Sequence, residues 1–61
     1  MIGFTQAYAA LASGKSVTRE RHDRDNKMYI RNGELMWECY GTARKHQLDW
    51  EDMSAVDWII L

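Results

Sequence analysis

The chain has 61 residues, one cysteine and a formal net charge of −1 with its histidines neutral. These totals allow one domain at most, leave no internal disulfide, and argue against a life on duplex DNA, which needs a strong basic excess. No apolar run approaches the ~20 residues that span a bilayer, and the start lacks the basic segment of a secretory signal, so the expectation is a cytoplasmic protein without membrane contact.

Phe4, Ala7, Tyr8 and Leu11 recur at helical spacing among strong helix formers. Gly3 is placed to cap that helix with Gln6 as its capping-box partner, and Gly14 stands where a C′ glycine ends one. The spacing predicts a helix over 4–13, followed by a β-prone stretch "KSVTR" at 15–19. "ERHDRDN" at 20–26 has no apolar residue and no period, and reads as a loop.

"KMYIRNGELMWECY" follows, with Asn32-Gly33 at its centre. Asn-Gly between alternating runs is the strongest short hairpin signal, because a type I′ turn needs positive φ at both positions. A two-residue turn fixes the register as Arg31 with Glu34, Ile30 with Leu35, Tyr29 with Met36, Met28 with Trp37 and Lys27 with Glu38. Two opposite-charge pairs and an aromatic–thioether pair fall out of that register without adjustment. Ile30, Leu35, Met28 and Trp37 then share the core face. Tyr29 and Met36 lie on the other face, where subunit contact is the favoured reading. Cys39 shares the side of Leu35 and Trp37 and is expected to be buried and inert.

"GTARKHQL" at 41–48 is polar and basic, and fits either a loop or a short edge strand. Asp49 is a good N-cap with Asp52 at N3, which predicts a short helix with acids in its first turn. "VDWIIL" is then a final strand with apolar residues on both faces, buried on both sides or held at an interface. Together these elements predict an α+β fold: an N-terminal helix on a small antiparallel sheet of about four strands, with a short second helix before the last strand. A chain this small buries only ~60% of its unfolded surface. Without a disulfide or zinc-like spacing, self-association is the expected supplement, and three tryptophans and three tyrosines suit an interface.

Phe4, Ala7, Leu11, Gly14, Lys15, Val17 and Arg19 near the start, with Asp52, Ala55, Asp57, Trp58 and Ile60 at the end, form a spaced pattern. It resembles the small phage proteins of the second Thoeris anti-defence family, once known only as a domain of unknown function. The resemblance implies a non-catalytic sponge, a homotetramer or homodimer that binds and sequesters a nucleotide-derived immune signal in the infected bacterium. The signal would be a cyclic ADP-ribose isomer made by TIR proteins, or a cyclic dinucleotide made by cGAS-like enzymes. The chain departs from that family at two places. His22 stands where a tryptophan usually follows the first strand, and His46 stands at the tryptophan of a Trp-x-Pro-x segment that here has no proline.

A cyclic nucleotide needs cations for its phosphates, planes for its base and acceptors for its hydroxyls. Arg19, Arg21, His22 and Arg24 form a basic cluster from the first strand into the loop, a candidate phosphate clamp, although Arg19 fits a structural ion pair equally well and a solvated loop accounts for Arg21 and Arg24. Arg44, Lys45 and His46 form a second basic spot, for phosphate contacts or a polar edge. Tyr29 and Trp50 are candidate stacking surfaces, and Asp57 a candidate acceptor, with structural roles open for both aspartates, Asp52 and Asp57. Trp37 reads as core. No nucleophile with a nearby histidine, no glycine-rich phosphate loop and no metal-ligand spacing is present, so no enzyme and no cofactor are expected. The alternative is a small phage protein that binds and inhibits a host protein, with Trp50, Tyr29 and Met36 as its hot spot.

Overall fold

A computed structural model describes all 61 residues. Helix α1 (Phe4–Ala12) leads into β1 (Val17–Arg19), β2 (Asn26–Arg31), β3 (Glu34–Cys39), β4 (Thr42–Lys45), a one-turn helix α2 (Trp50–Ser54) and β5 (Trp58–Ile60). The strands form one antiparallel sheet in the order β4-β3-β2-β1-β5. The architecture is α+β, with five strands where about four were expected. The fifth is the "TARK" stretch, which settles as an edge strand.

Each helix ends as its sequence dictates. Gly3 is the N-cap of α1 in extended backbone, but the capping box with Gln6 does not form. Glycine has no side chain to complete it. At the other end Lys15 N–H donates to Ala10 O and Gly14 N–H to Leu11 O, both at 3.0 Å. Those two bonds are a Schellman motif, which satisfies carbonyls the helix would leave open. Around α2 the predicted N-cap, Asp49, is half of a complete capping box: Asp52 N–H donates to Asp49 Oδ1 at 2.9 Å, and Asp49 N–H to Asp52 Oδ2 at 3.3 Å.

The β2–β3 register is the predicted one, from Lys27–Glu38 to Arg31–Glu34. Asn32 and Gly33 take φ of 53° and 77°, the left-handed pair that a type I′ turn requires. A second such turn joins β3 to β4, at Tyr40 (φ 50°) and Gly41 (φ 88°). Tyrosine seldom adopts this conformation. Here its N–H donates to Asp25 O at 2.9 Å and its hydroxyl to Asp23 Oδ2 at 2.5 Å, which tie the turn to the β1–β2 loop.

Both helices lie on one face of the sheet. Ala7, Ala10 and Leu11 of α1 pack on Val17, Met28 and Trp58, and these six residues are the core. Trp58 is its largest member and is fully buried. Its indole stands 6.2 Å from the Phe4 ring, its Nε1 donates to Asp52 O at 3.1 Å, and the Arg19 guanidinium lies over it at 5.4 Å. On its outer edge the backbone pairs with Ile2, through two 3.0 Å bonds. The apolar tail is therefore held on both sides at Trp58, by β1 and by the N-terminus. Beyond it Ile59 is half-buried on the helix-free face and Ile60 is exposed.

The helices do not cover the whole face. A helix is ~10 Å across with its side chains, while strands repeat every ~4.8 Å. One helix therefore shields two or three of five strands. Helix α1 packs on β5, β1 and β2 and leaves the β3–β4 end uncovered. No helix is long and apolar enough to cross a membrane.

Replacing Trp58 by alanine removes about 3–5 kcal/mol, by analogy with buried aromatic truncations. A domain of 61 residues has little more than that in total. Urea unfolding of Trp58→Ala followed by circular dichroism is therefore expected to show no cooperative transition at 25 °C. A wild-type-like midpoint would contradict the central role given to this side chain.

Candidate functional site

The uncovered end of the sheet is a cleft of about 730 Å³. Its floor is β3–β4, and its walls are the β1–β2 loop and the start of α2. Trp37, Cys39, Thr42, Arg44 and Lys45 line it from the sheet, Arg21 and His22 from the loop, and His46, Asp49, Glu51 and Asp52 from the chain entering α2. A volume of this order matches small-molecule sites.

Trp37 is half-buried on the floor. Two imidazoles converge on its indole. The His22 ring centroid lies 5.5 Å away in edge-on geometry (73°), and the His46 ring lies 5.3 Å away at 43°. Backbone bonds position both histidines. His22 N–H donates to Arg19 O at 3.0 Å in the turn leaving β1, and His46 N–H donates to Leu35 O at 2.9 Å, one step beyond the β3–β4 ladder. His46 is fixed further by Nε2, which donates to Asp52 Oδ2 at 2.8 Å. That carboxylate also serves the α2 cap, so helix capping and ring orientation share one group.

Three cations and three carboxylates line the cleft, so it carries no net charge with the histidines neutral. Most of these groups are already paired. Arg21 pairs with Glu51, Lys45 with Glu34 at 3.4 Å, and Asp52 with His46. Arg44 has no ion pair and no side-chain hydrogen bond. It stands opposite Trp37 in the β3–β4 register, so a free guanidinium and an indole are neighbours on one surface. No cluster of three His, Cys, Asp or Glu side chains is placed to hold a metal ion.

Of the residues expected to bind a ligand, His22, Arg44 and His46 come together here. Arg19 does not join them. It is buried, pairs with Asp57 across β1 and β5, and lies over Trp58. Asp57 is thereby its structural partner and not a free acceptor. Tyr29 sits on the opposite face of the sheet, its hydroxyl 3.5 Å from Glu38. Arg24 is exposed in the loop, outside the cleft. Trp50, 77% exposed at the first turn of α2, does not line it either.

Two expectations reverse. Cys39 is exposed and lines the cleft, because no helix reaches its end of the sheet. Trp37 is on the core face as expected, but its outer part is the cleft floor for the same reason. Arg21, Lys45 and Glu51 also belong to the cleft. Their charges were visible in the sequence, but the approach of α2 to the β1–β2 loop was not.

No family model, no curated protein and no solved structure matches this chain.

Burial alone would raise the Asp57 carboxyl, but the hydrogen bond and charge of Arg19 outweigh it and hold the group below the usual aspartate range. The Tyr40 hydroxyl does the same for exposed Asp23. A carboxyl with a depressed folded value contributes stability that is complete above its unfolded value, about 3.9, and is lost as pH falls through the folded one. Stability is thus expected to drop below about pH 4. In urea titrations at pH 7 and pH 3, Asp57→Asn should be less stable at pH 7 and should lose less than wild type on acidification. An unchanged acid slope would remove Asp57 from this account.

Proposed function

We propose that the protein captures a nucleotide-derived immune signal and holds it unchanged, as a phage anti-defence sponge in the infected bacterium. The observation that carries this reading is the meeting of Trp37, His22, His46 and unpaired Arg44 in one cleft. An indole gives a base a plane to stack on, and a guanidinium takes a phosphate. The carboxylates on the α2 wall accept hydrogen bonds from ribose hydroxyls or a base edge. Both histidines stand at places where the resemblance to the second Thoeris anti-defence family expects tryptophan, and both rings lie against one indole. The ligand class is a cyclic ADP-ribose isomer or a cyclic dinucleotide.

The sponge is a homo-oligomer, a dimer or tetramer. The helix-free face of the sheet supports that part. There Met36 is already buried, and half-buried Tyr29, Ala43 and Ile59 surround it between the Lys27–Glu38 and Glu34–Lys45 pairs. Charges of both signs around an apolar strip suit contact with a second copy.

One observation favours a second reading, capture of a host protein. Trp50, Met53 and Val56 are all exposed within seven residues, at 77%, 46% and 75%, and an exposed tryptophan beside apolar neighbours is the usual anchor of an interface.

Isothermal titration with cyclic ADP-ribose and with cyclic di-AMP separates the two. Base stacking is worth about 1–3 kcal/mol. Trp37→Ala is therefore expected to weaken capture by roughly tenfold or more, and Arg44→Gln comparably, while Trp50→Ala leaves it unchanged. Binding lost in Trp50→Ala and kept in Trp37→Ala would contradict this assignment of the cleft.

A further inference from the structure

The cations of the cleft differ in what holds them. Arg44 is free. Arg21 Nη2 donates to Glu51 Oε1, and that pair joins the β1–β2 loop to the first turn of α2, two walls of the cleft. Both side chains are more than half exposed, at 59% and 63%. An ion pair this exposed adds little to stability. Glu51 has no other side-chain hydrogen bond, and the α2 cap is completed by Asp49 and Asp52 without it. The fold does not depend on the pair, yet the pair occupies the one guanidinium on the loop wall of the cleft.

A carboxylate and a phosphate present the same feature to a guanidinium: two oxygens for its forked N–H groups. We propose that Glu51 is an internal stand-in for the ligand's phosphate, and that binding exchanges one for the other on Arg21. This rests on the reading of the cleft as a nucleotide site. The exchange costs little because Glu51 swings into water, where a carboxylate is well solvated. With Arg21 released, the cleft offers two guanidiniums, its own and that of Arg44.

The stand-in also serves selectivity. A small anion must displace Glu51 with nothing but its charge. A ligand that stacks on Trp37 at the same time has a second source of binding free energy, so the pair discriminates against anions without a base.

The test is the affinity of cyclic ADP-ribose and of cyclic di-AMP for wild type, Glu51→Gln, Arg21→Gln and the double variant. Glu51→Gln is expected to bind roughly three- to tenfold tighter than wild type, since it loses a competitor and a like charge. Arg21→Gln binds more weakly. In the Arg21→Gln background the Glu51→Gln gain should shrink to less than twofold, because the two residues act as one unit. A gain of equal size in both backgrounds would reduce Glu51 to a general charge effect and overturn the proposal. So would Glu51→Gln binding no better than wild type; in either case the nucleotide site stands, because wild type still binds. If neither wild type nor Glu51→Gln binds either probe, the nucleotide reading falls and takes this inference with it.

Discussion

The structure depends on one side chain, Trp58. A chain of 61 residues has a core cluster of only six buried residues, and Trp58, the largest, reaches both helices, β1 and the N-terminus. Its ring packs on Phe4 of α1 and lies under Arg19 of β1; its Nε1 bonds Asp52 of α2; its backbone pairs with Ile2. It is a partner that the two helices share. An apolar C-terminal run that would be an aggregation hazard in isolation is thus the element that closes the molecule.

A short line of contacts carries that constraint to the surface. Trp58 holds the Asp52 carbonyl, and the Asp52 carboxylate caps α2 and binds His46, which lies against Trp37. The cleft itself follows from a mismatch of widths, since α1 is too narrow to cover five strands. What remains is half a core face, with a half-buried indole on the floor of the cleft. The Arg19–Asp57 pair does the opposite work. It takes two charged residues that the sequence offers as ligand contacts and uses them to fasten β5 to β1.

Much of the fold was legible because local rules agreed with one another. Asn32-Gly33 set a register that paired Lys27 with Glu38 and Arg31 with Glu34, and Asp49 announced the start of α2 as its N-cap. The second hairpin was hidden because its first turn residue is Tyr40. Tyrosine signals no left-handed conformation, and the bonds to Asp23 and Asp25 that hold it there span some seventeen residues of chain. The site was half legible. His22, Arg44 and His46 were visible as groups suited to a nucleotide. Trp37 was read as core, because alternation reports the face of a sheet and not how far a helix extends across it. Arg19 and Asp57 were open to either a ligand or a structural role for a related reason: their pairing depends on β5 lying beside β1, a contact between residues 38 positions apart.

These features describe a small protein whose fold leaves one stacking surface and one free guanidinium together in a cleft of suitable size. On the reading proposed above, that cleft holds a nucleotide-derived signal unchanged. The most direct test is native mass spectrometry of the purified protein after incubation with filtrate from bacteria whose TIR or cyclic-nucleotide synthase has been triggered, recorded before and after heat denaturation. The account predicts an oligomer carrying an adduct of nucleotide mass that is released intact on heating. An oligomer or monomer with no adduct from either filtrate, or an adduct returned as fragments, would contradict it.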